Sequence, residues 1–235
     1  EDILISGEEW FRYNPYKNDK KEGITKRFYE NSTLQWEVPF NNNKVEGLTK
    51  EYFESGALQW ENSYINGKRE GLVKEFYESG TLKQEAPFKN DKREGLTKLY
   101  YESGVLMAEV PYKNNTREGL VKSYYENGAL EWEAPFKNDK VEGLAKGYYE
   151  SGALMEESTL KNNKLEGLVK KYYESGAIHW EIPFKNGKRD GLKKGYCKNG
   201  IKASTAKYTK GILQGYVQCA DGTKGDEQIQ CKCND

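Results

Sequence analysis

Short apolar stretches alternate with clusters of turn residues along the chain. Residues 71–92 read GLVKEFYESGTLKQEAPFKNDK, in which two apolar or aromatic stretches are each followed by polar residues with Gly or Asn. Stretches this short, rich in β-branched and aromatic residues and bounded by turn residues, favour strands over helices. The segment therefore predicts a β-hairpin followed by a second turn.

The same pattern recurs every 24 residues, and such a fixed period is the signature of a repeat array. The glycines that mark the copies are Gly23, Gly47, Gly71, Gly95, Gly119, Gly143, Gly167 and Gly191, with Gly215 in phase in a degraded ninth copy. The expected fold class is all-β: an elongated array of antiparallel hairpins that forms one continuous twisted meander sheet. We expect an N-terminal partial repeat or cap over residues 1–21, tandem repeats over 22–208, and a degraded last repeat with a Cys-containing cap over 209–235.

Turn residues fix the expected register within each hairpin. Ser-Gly or Asn-Gly pairs end most first strands, and pairs such as Asn66-Gly67 end the second strands; both are interpreted as primed two-residue turns. Centring the first turn on Ser55-Gly56 places Lys50 opposite Glu61 and a repeated glycine opposite an aromatic ring of the next strand. The same count predicts further Lys–Glu pairs at 26 and 37, 74 and 85, 98 and 109, 122 and 133, 146 and 157, and 170 and 181. These pairs are interpreted as control of sheet register.

The second turn extends the count to the next hairpin. Centring it on Asn66-Gly67 predicts that Leu72 faces Glu61. One sheet face is then expected to carry the Lys–Glu pairs with Leu48 and Tyr52. The other face is expected to carry Phe53, Leu58, Trp60, Tyr64 and their equivalents.

Composition narrows the function classes. Thirty-seven basic residues balance thirty-seven acidic ones, which argues against a nucleic-acid partner and gives no charge support to membrane contact. No apolar run approaches the length of a membrane-spanning helix. The single histidine, His179, lies beside Trp180 and is expected to be an ordinary surface residue. No repeat carries a unique cluster of His, Cys or carboxylates, so we expect no catalytic residues, no metal site and no cofactor.

One repeat position varies in a way that suggests a ligand-facing surface. It holds the tryptophans Trp36, Trp60, Trp132 and Trp180. Other copies hold Gln84, Ala108 or Glu156 there, although a purely structural position should keep its residue type. An aromatic strip on a sheet suits a glycan or an extended peptide. The alternative is that different repeats meet different packing.

All four cysteines lie near the C-terminus, where the repeat decays: Cys197, Cys219, Cys231 and Cys233. Their even number predicts a disulfide-locked cap, with a four-Cys zinc site as the alternative. Strand spacing puts Cys197 too far from Cys219 for a bridge. Cys219 should therefore join Cys231 or Cys233, and Cys197 should take the remaining cysteine. Oxidised cysteines would favour an exported protein.

The consensus G-L-x-K-x-Y-Y-E-S-G-x-L-x-x-E-x-P-F-K-N-G-K-x-E resembles the variant MORN repeat (membrane occupation and recognition nexus) over about residues 8–216. Such arrays are often described as bacterial antitoxin-like proteins. The resemblance implies an elongated β array that serves as a binding or spacing scaffold. The leading hypothesis is a non-enzymatic, exported or surface-associated bacterial protein that binds a protein or glycan partner through a sheet face. Residue 1 is Glu rather than Met, which fits the removal of a leader. The alternative is a cytoplasmic antitoxin that neutralises a toxin by direct contact.

Overall fold

The computed structural model describes residues 12–233, and its side chains from residue 14. Contacts along the chain divide it into two compact units, Glu1–Thr116 and Arg117–Asp235. Within the described residues every regular element is a strand, and no helix long and apolar enough to cross a membrane is found. Both units consist of repeated antiparallel hairpins, which confirms the predicted all-β class.

Each complete repeat contributes two long strands and one short strand. The first long strands are Gly23–Phe28, Gly47–Tyr52, Gly71–Phe76, Gly95–Tyr100, Gly119–Tyr124, Gly143–Tyr148, Gly167–Tyr172 and Gly191–Tyr196. The second long strands are Leu34–Asn41, Leu58–Ile65, Leu82–Lys89, Leu106–Lys113, Leu130–Lys137, Leu154–Lys161, Ile178–Lys185 and Lys202–Thr209. The short strands are Lys20–Lys21, Lys44–Val45, Lys68–Arg69, Lys92–Arg93, Thr116–Arg117, Lys140–Val141, Lys164–Leu165, Lys188–Arg189 and Ile212–Leu213. The ends add Arg12–Tyr13, Tyr16–Lys17, Val217–Cys219 and Lys224–Gly225.

The two turns of each repeat differ in type. The turn between the second long strand and the short strand is a two-residue turn as predicted, with positive φ at both Asn42 (49°) and Asn43 (66°). The Ser-Gly turn is not a two-residue turn, which corrects the prediction. The Phe53 N–H donates to the Ala57 carbonyl at 2.8 Å, and the Gly56 N–H donates to the Phe53 carbonyl at 2.9 Å. Gly56 has φ of 90°. This turn is a longer loop with glycine in the left-handed region. The register consequently shifts between Glu51 and Tyr52.

The Lys–Glu register within each hairpin is confirmed in all seven predicted pairs. The register between hairpins differs from the prediction, because Lys74 rather than Leu72 faces Glu61. Tyr64 still pairs with Arg69 beside the turn, so two extra residues enter the strand at the break before Gly71, which has φ of 93°. Since successive side chains alternate, an offset of two leaves every residue on its predicted face.

The two sheet faces are unequal in burial. We call the core face the one that carries Val73, Ala86, Phe88 and Trp60, which form one apolar cluster. Its buried row, one residue per repeat, is Thr25, Thr49, Val73, Thr97, Val121, Ala145 and Val169. We call the ladder face the one that carries the Lys–Glu pairs. Its exposed apolar row is Ile24, Leu48, Leu72, Leu96, Leu120, Leu144, Leu168 and Leu192.

Tyrosine hydroxyls reinforce the ladder face. The Tyr100 hydroxyl donates to Glu85 Oε1 at 3.0 Å, and Lys98 Nζ lies 3.6 Å from the same oxygen. Burial, followed by the Glu85 carboxylate, raises the pKa of Tyr100 to about 12. At neutral pH the phenol is therefore a permanent donor, which suits a structural contact.

Candidate functional site

The four candidate tryptophans lie half-buried on the core face. Trp60 packs against the cluster of Val73, Ala86 and Phe88. The Trp132 ring meets the Phe136 ring edge to face, with 6.2 Å between their centroids. The predicted position is thus a real surface feature, partly engaged in packing and partly open to solvent. Its role in binding stays a prediction.

The chain end crosses the core face of the last repeats. Disulfides join Cys197 to Cys233 and Cys219 to Cys231, with Cα separations of 5.7 and 5.3 Å. This is one of the pairings predicted from strand spacing, and it leaves no thiolate for the alternative zinc site. Ile229 packs against the buried cluster of Ala206, Tyr208 and Val217. We call residues 226–233 the tail.

A cavity of about 260 Å³ lies between the tail and the core face. Its floor and walls come from successive strands of the sheet and include Tyr173, His179, Trp180 and Lys193. Its roof comes from the tail and includes Glu227 and Gln230. Thus the one candidate tryptophan near the cysteines lies in a site partly covered by the tail rather than on an open strip.

Trp180 forms the floor because the facing strand has no side chain beneath it. Gly195 is its partner in the register. A Cβ atom placed on Gly195 would lie only 2.5 Å from Trp180 Cζ3 and 2.6 Å from Ser204 Oγ. Only glycine leaves room for the indole to lie across the strand in this way.

His179 is not the ordinary surface residue that its sequence context predicted. Its ring stacks on Tyr173, with 4.2 Å between centroids and 25° between planes, and lies 5.0 Å from the Trp180 ring. Burial, followed by the positive charges of Lys193 and Lys171, lowers the pKa of His179. The imidazole is therefore neutral at pH 7 and contributes a flat wall rather than a charge.

The cavity holds one cation that lacks an ionic partner. Lys193 Nζ lies 3.8 Å from the centroid of the Trp180 ring. Within the described part of the chain, no carboxylate oxygen lies within 4 Å of that nitrogen. Burial, followed by the charge of Arg189, lowers the pKa of Lys193, and the more distant Glu227 carboxylate opposes this shift only in part. Glu227 is instead paired with Arg189, at 3.5 Å between Oε2 and Nη1.

Sequence reasoning missed this site because it searched for His, Cys and carboxylate clusters. The available signal was the break in the buried row. Seven repeats hold Thr, Val or Ala there, and the eighth holds Lys193. Only the fold of the tail shows that this lysine faces a covered cavity.

A family model described as MORN repeat variant matches six segments that together cover more than half of the chain. The segments are residues 21–42, 69–90, 93–114, 117–138, 141–162 and 165–186. No curated protein matches the chain. Neither comparison supports the antitoxin part of the resemblance.

Proposed function

The chain belongs to the MORN repeat variant family, and from that premise we propose that it is a non-enzymatic scaffold that binds a protein or glycan partner through its core face. The observation that carries the proposal is the half-buried tryptophan position. Gln84, Ala108 and Glu156 hold the same position in other repeats, so the repeat fold does not require an indole there. A partly open aromatic surface that the fold does not require is best explained by binding.

The ladder carboxylates support a role without catalysis. Glu157 accepts the Tyr172 hydroxyl at 2.8 Å, and its oxygen lies 3.2 Å from Lys170 Nζ. The hydrogen bond from Tyr172 lowers the pKa of Glu157, and the hydrogen bond from Lys170 lowers it further. A carboxylate held ionised by two donors is a poor general acid at neutral pH.

The two disulfides are typical of a protein in an oxidising compartment. We therefore place the scaffold outside the cell or on its surface. No observation favours the cytoplasmic antitoxin alternative. Intact-mass measurement on protein from its native source tests the placement. An exported protein should gain the mass of four hydrogen atoms on reduction, whereas four free thiols would overturn the placement.

Binding through the core face can be tested with matched variants. Wild type, Trp36→Ala/Trp60→Ala/Trp132→Ala and Leu48→Ala/Leu72→Ala/Leu120→Ala would be screened on a defined glycan array and a displayed peptide library. The leucines are exposed on the ladder face and serve as the control. We expect at least one ligand whose affinity falls about tenfold or more in the tryptophan variant and is unchanged in the leucine variant. Equal losses in both variants, or no ligand on either library, would contradict the proposal.

A further inference from the structure

The cavity beneath the tail gathers residues in which the last repeats depart from the others. The repeat position of His179 holds Gln, Lys, Met, Glu or Ala in other repeats, and that of Gly195 holds glycine elsewhere only at Gly147. Lys193 interrupts a row of small buried residues. Because these three departures from the repeat all line one cavity, we look for their explanation in what that cavity does.

Lys193 is the clearest of these departures. An ammonium group loses hydration at a half-buried site, and a ring face compensates only part of that loss. Thr, Val and Ala serve the same position in seven repeats, so the fold gains nothing evident from a lysine there. A cation kept in a cavity without a carboxylate in contact is available to an incoming anion.

The neighbouring charges also favour an anion. Glu227, the acidic residue of the roof, is paired with Arg189 at 3.5 Å and attracts the Lys193 ammonium only from beyond 4 Å. Lys171, opposite Trp180 in the register, is paired with Glu156 at 2.8 Å. His179 is neutral at pH 7 and adds no charge. Lys193 and Arg189 against Glu227 make two positive charges and one negative charge, so the net charge beside the cavity is positive.

The shape of the cavity favours a six-membered ring that presents a broad face. Trp180 supplies the floor, and the stacked His179 and Tyr173 supply an aromatic wall. A cavity of about 150 Å³ already holds benzene, so 260 Å³ accommodates one six-membered ring with a substituent. Ser204 and Gln230 line the same space and offer a hydroxyl and an amide for polar substituents.

We propose that this cavity binds a small molecule that carries a carboxylate on a six-membered ring, with the ring on Trp180 and the carboxylate on Lys193. The site goes beyond the proposed scaffold function. It involves a small ligand rather than a macromolecular partner, and either proposal can fail without the other. Because Cys231 and Cys233 anchor the roof, binding depends on both disulfides.

The test uses two ring carboxylates and their neutral counterparts. D-glucuronate with D-glucose represents the sugar source of this chemistry, and benzoate with benzamide represents the aromatic source. Each is titrated to about 10 mM against the full oxidised chain, while the indole resonance that is lost in Trp180→Phe is followed by NMR. We expect at least one carboxylate to shift this resonance at least tenfold more strongly than its neutral counterpart. Whichever carboxylate binds identifies the source.

Two matched variants and one condition complete the design. Lys193→Met keeps the length of the side chain and should reduce the affinity at least tenfold. Lys146→Met, half-buried on the ladder face, should leave the affinity unchanged. Reduction of the disulfides should abolish binding while circular dichroism retains the β signal of the repeats. No shift with either carboxylate, equal shifts with the neutral rings, or unchanged binding in Lys193→Met or after reduction would each overturn the proposal.

Discussion

Val73 and Lys193 occupy the same position in two different repeats, but the hairpin around Val73 and the capped end around Lys193 are stabilised by different contacts. In the regular hairpin, side chains from neighbouring repeats cover the core face. The Phe88 ring lies beneath the Arg69 guanidinium, at 4.5 Å from its centroid, and packs with Trp60. At the capped end the tail covers Tyr208, which is only 3% exposed. A repeat array thus needs a substitute for the missing neighbour at its end.

The comparison also separates structural residues from residues that call for another explanation. Val73 is 4% exposed and needs no partner beyond its apolar neighbours. Lys193 stands at the same position, is half-buried, and holds its ammonium over an indole. The repeat shows what this position requires for folding, and the lysine is not part of that requirement.

The largest expected effect is the loss of the Cys197–Cys233 disulfide, which should destabilise the capped end and not the regular hairpin. The double variant Cys197→Ser/Cys233→Ser removes a disulfide that closes a loop of 36 residues. From loop entropy alone, we expect its loss to lower the unfolding free energy of the capped end by about 4 kcal/mol. We expect amide exchange to accelerate in strand Lys202–Thr209 and in the tail while Gly71–Phe76 keeps its protection. Equal acceleration in both strands would show that the cap stabilises the whole chain rather than its end.

The next effect compares two glycines at one repeat position. Gly195→Ala should destabilise the capped end by about 1–3 kcal/mol, because the new Cβ would collide with Trp180 and Ser204. Gly147→Ala is the control, since its Cβ would meet the flexible end of Met155 at 3.4 Å. Thermal unfolding should show a clear loss for the first variant and almost none for the second. A similar loss for both would contradict the packing of Trp180 across the strand.

Adjacent residues on opposite faces provide a smaller effect. Val73→Ala removes two buried methyl groups and should cost about 2 kcal/mol of unfolding free energy. Leu72→Ala, at a side chain that is 40% exposed, should cost about 0.5 kcal/mol. Denaturant unfolding measures both. If Leu72→Ala proved the costlier change, the assignment of the core face would be wrong.

Much of this architecture was predictable from periodicity. The pairing of Lys50 with Glu61 followed from one turn assumption, because side chains alternate and the period is constant. The extra residues before Gly71 were not predictable, since a count through the turn assumes an unbroken ladder. The environment of His179 was also not predictable from the sequence. It depends on where the tail lies, and disulfides rather than local sequence pattern determine that.

The smallest structural effect involves pH. The lowered pKa of Glu157 means that its stabilising contribution is complete above the unfolded pKa of about 4.3 and is lost as the pH falls through the lower folded pKa. Tyr172→Phe removes the main hydrogen bond and should cost about 1 kcal/mol at pH 7. That cost should shrink as the pH falls below about 4, because protonation removes the same contribution. Phe76 already occupies this repeat position, so packing tolerates the change. A cost independent of pH would assign the effect to packing instead.

The central claim is that residues which break the repeat serve binding rather than folding, and the most direct test restores the repeat at Lys193. The measurement is amide exchange of strand Lys202–Thr209 in Lys193→Val compared with wild type. Since Val is the residue of three other repeats at this position, Val73, Val121 and Val169, we expect the opening free energy to rise by roughly 0.5–1 kcal/mol. A fall in opening free energy would mean that Lys193 holds the capped end together, and the claim would be wrong.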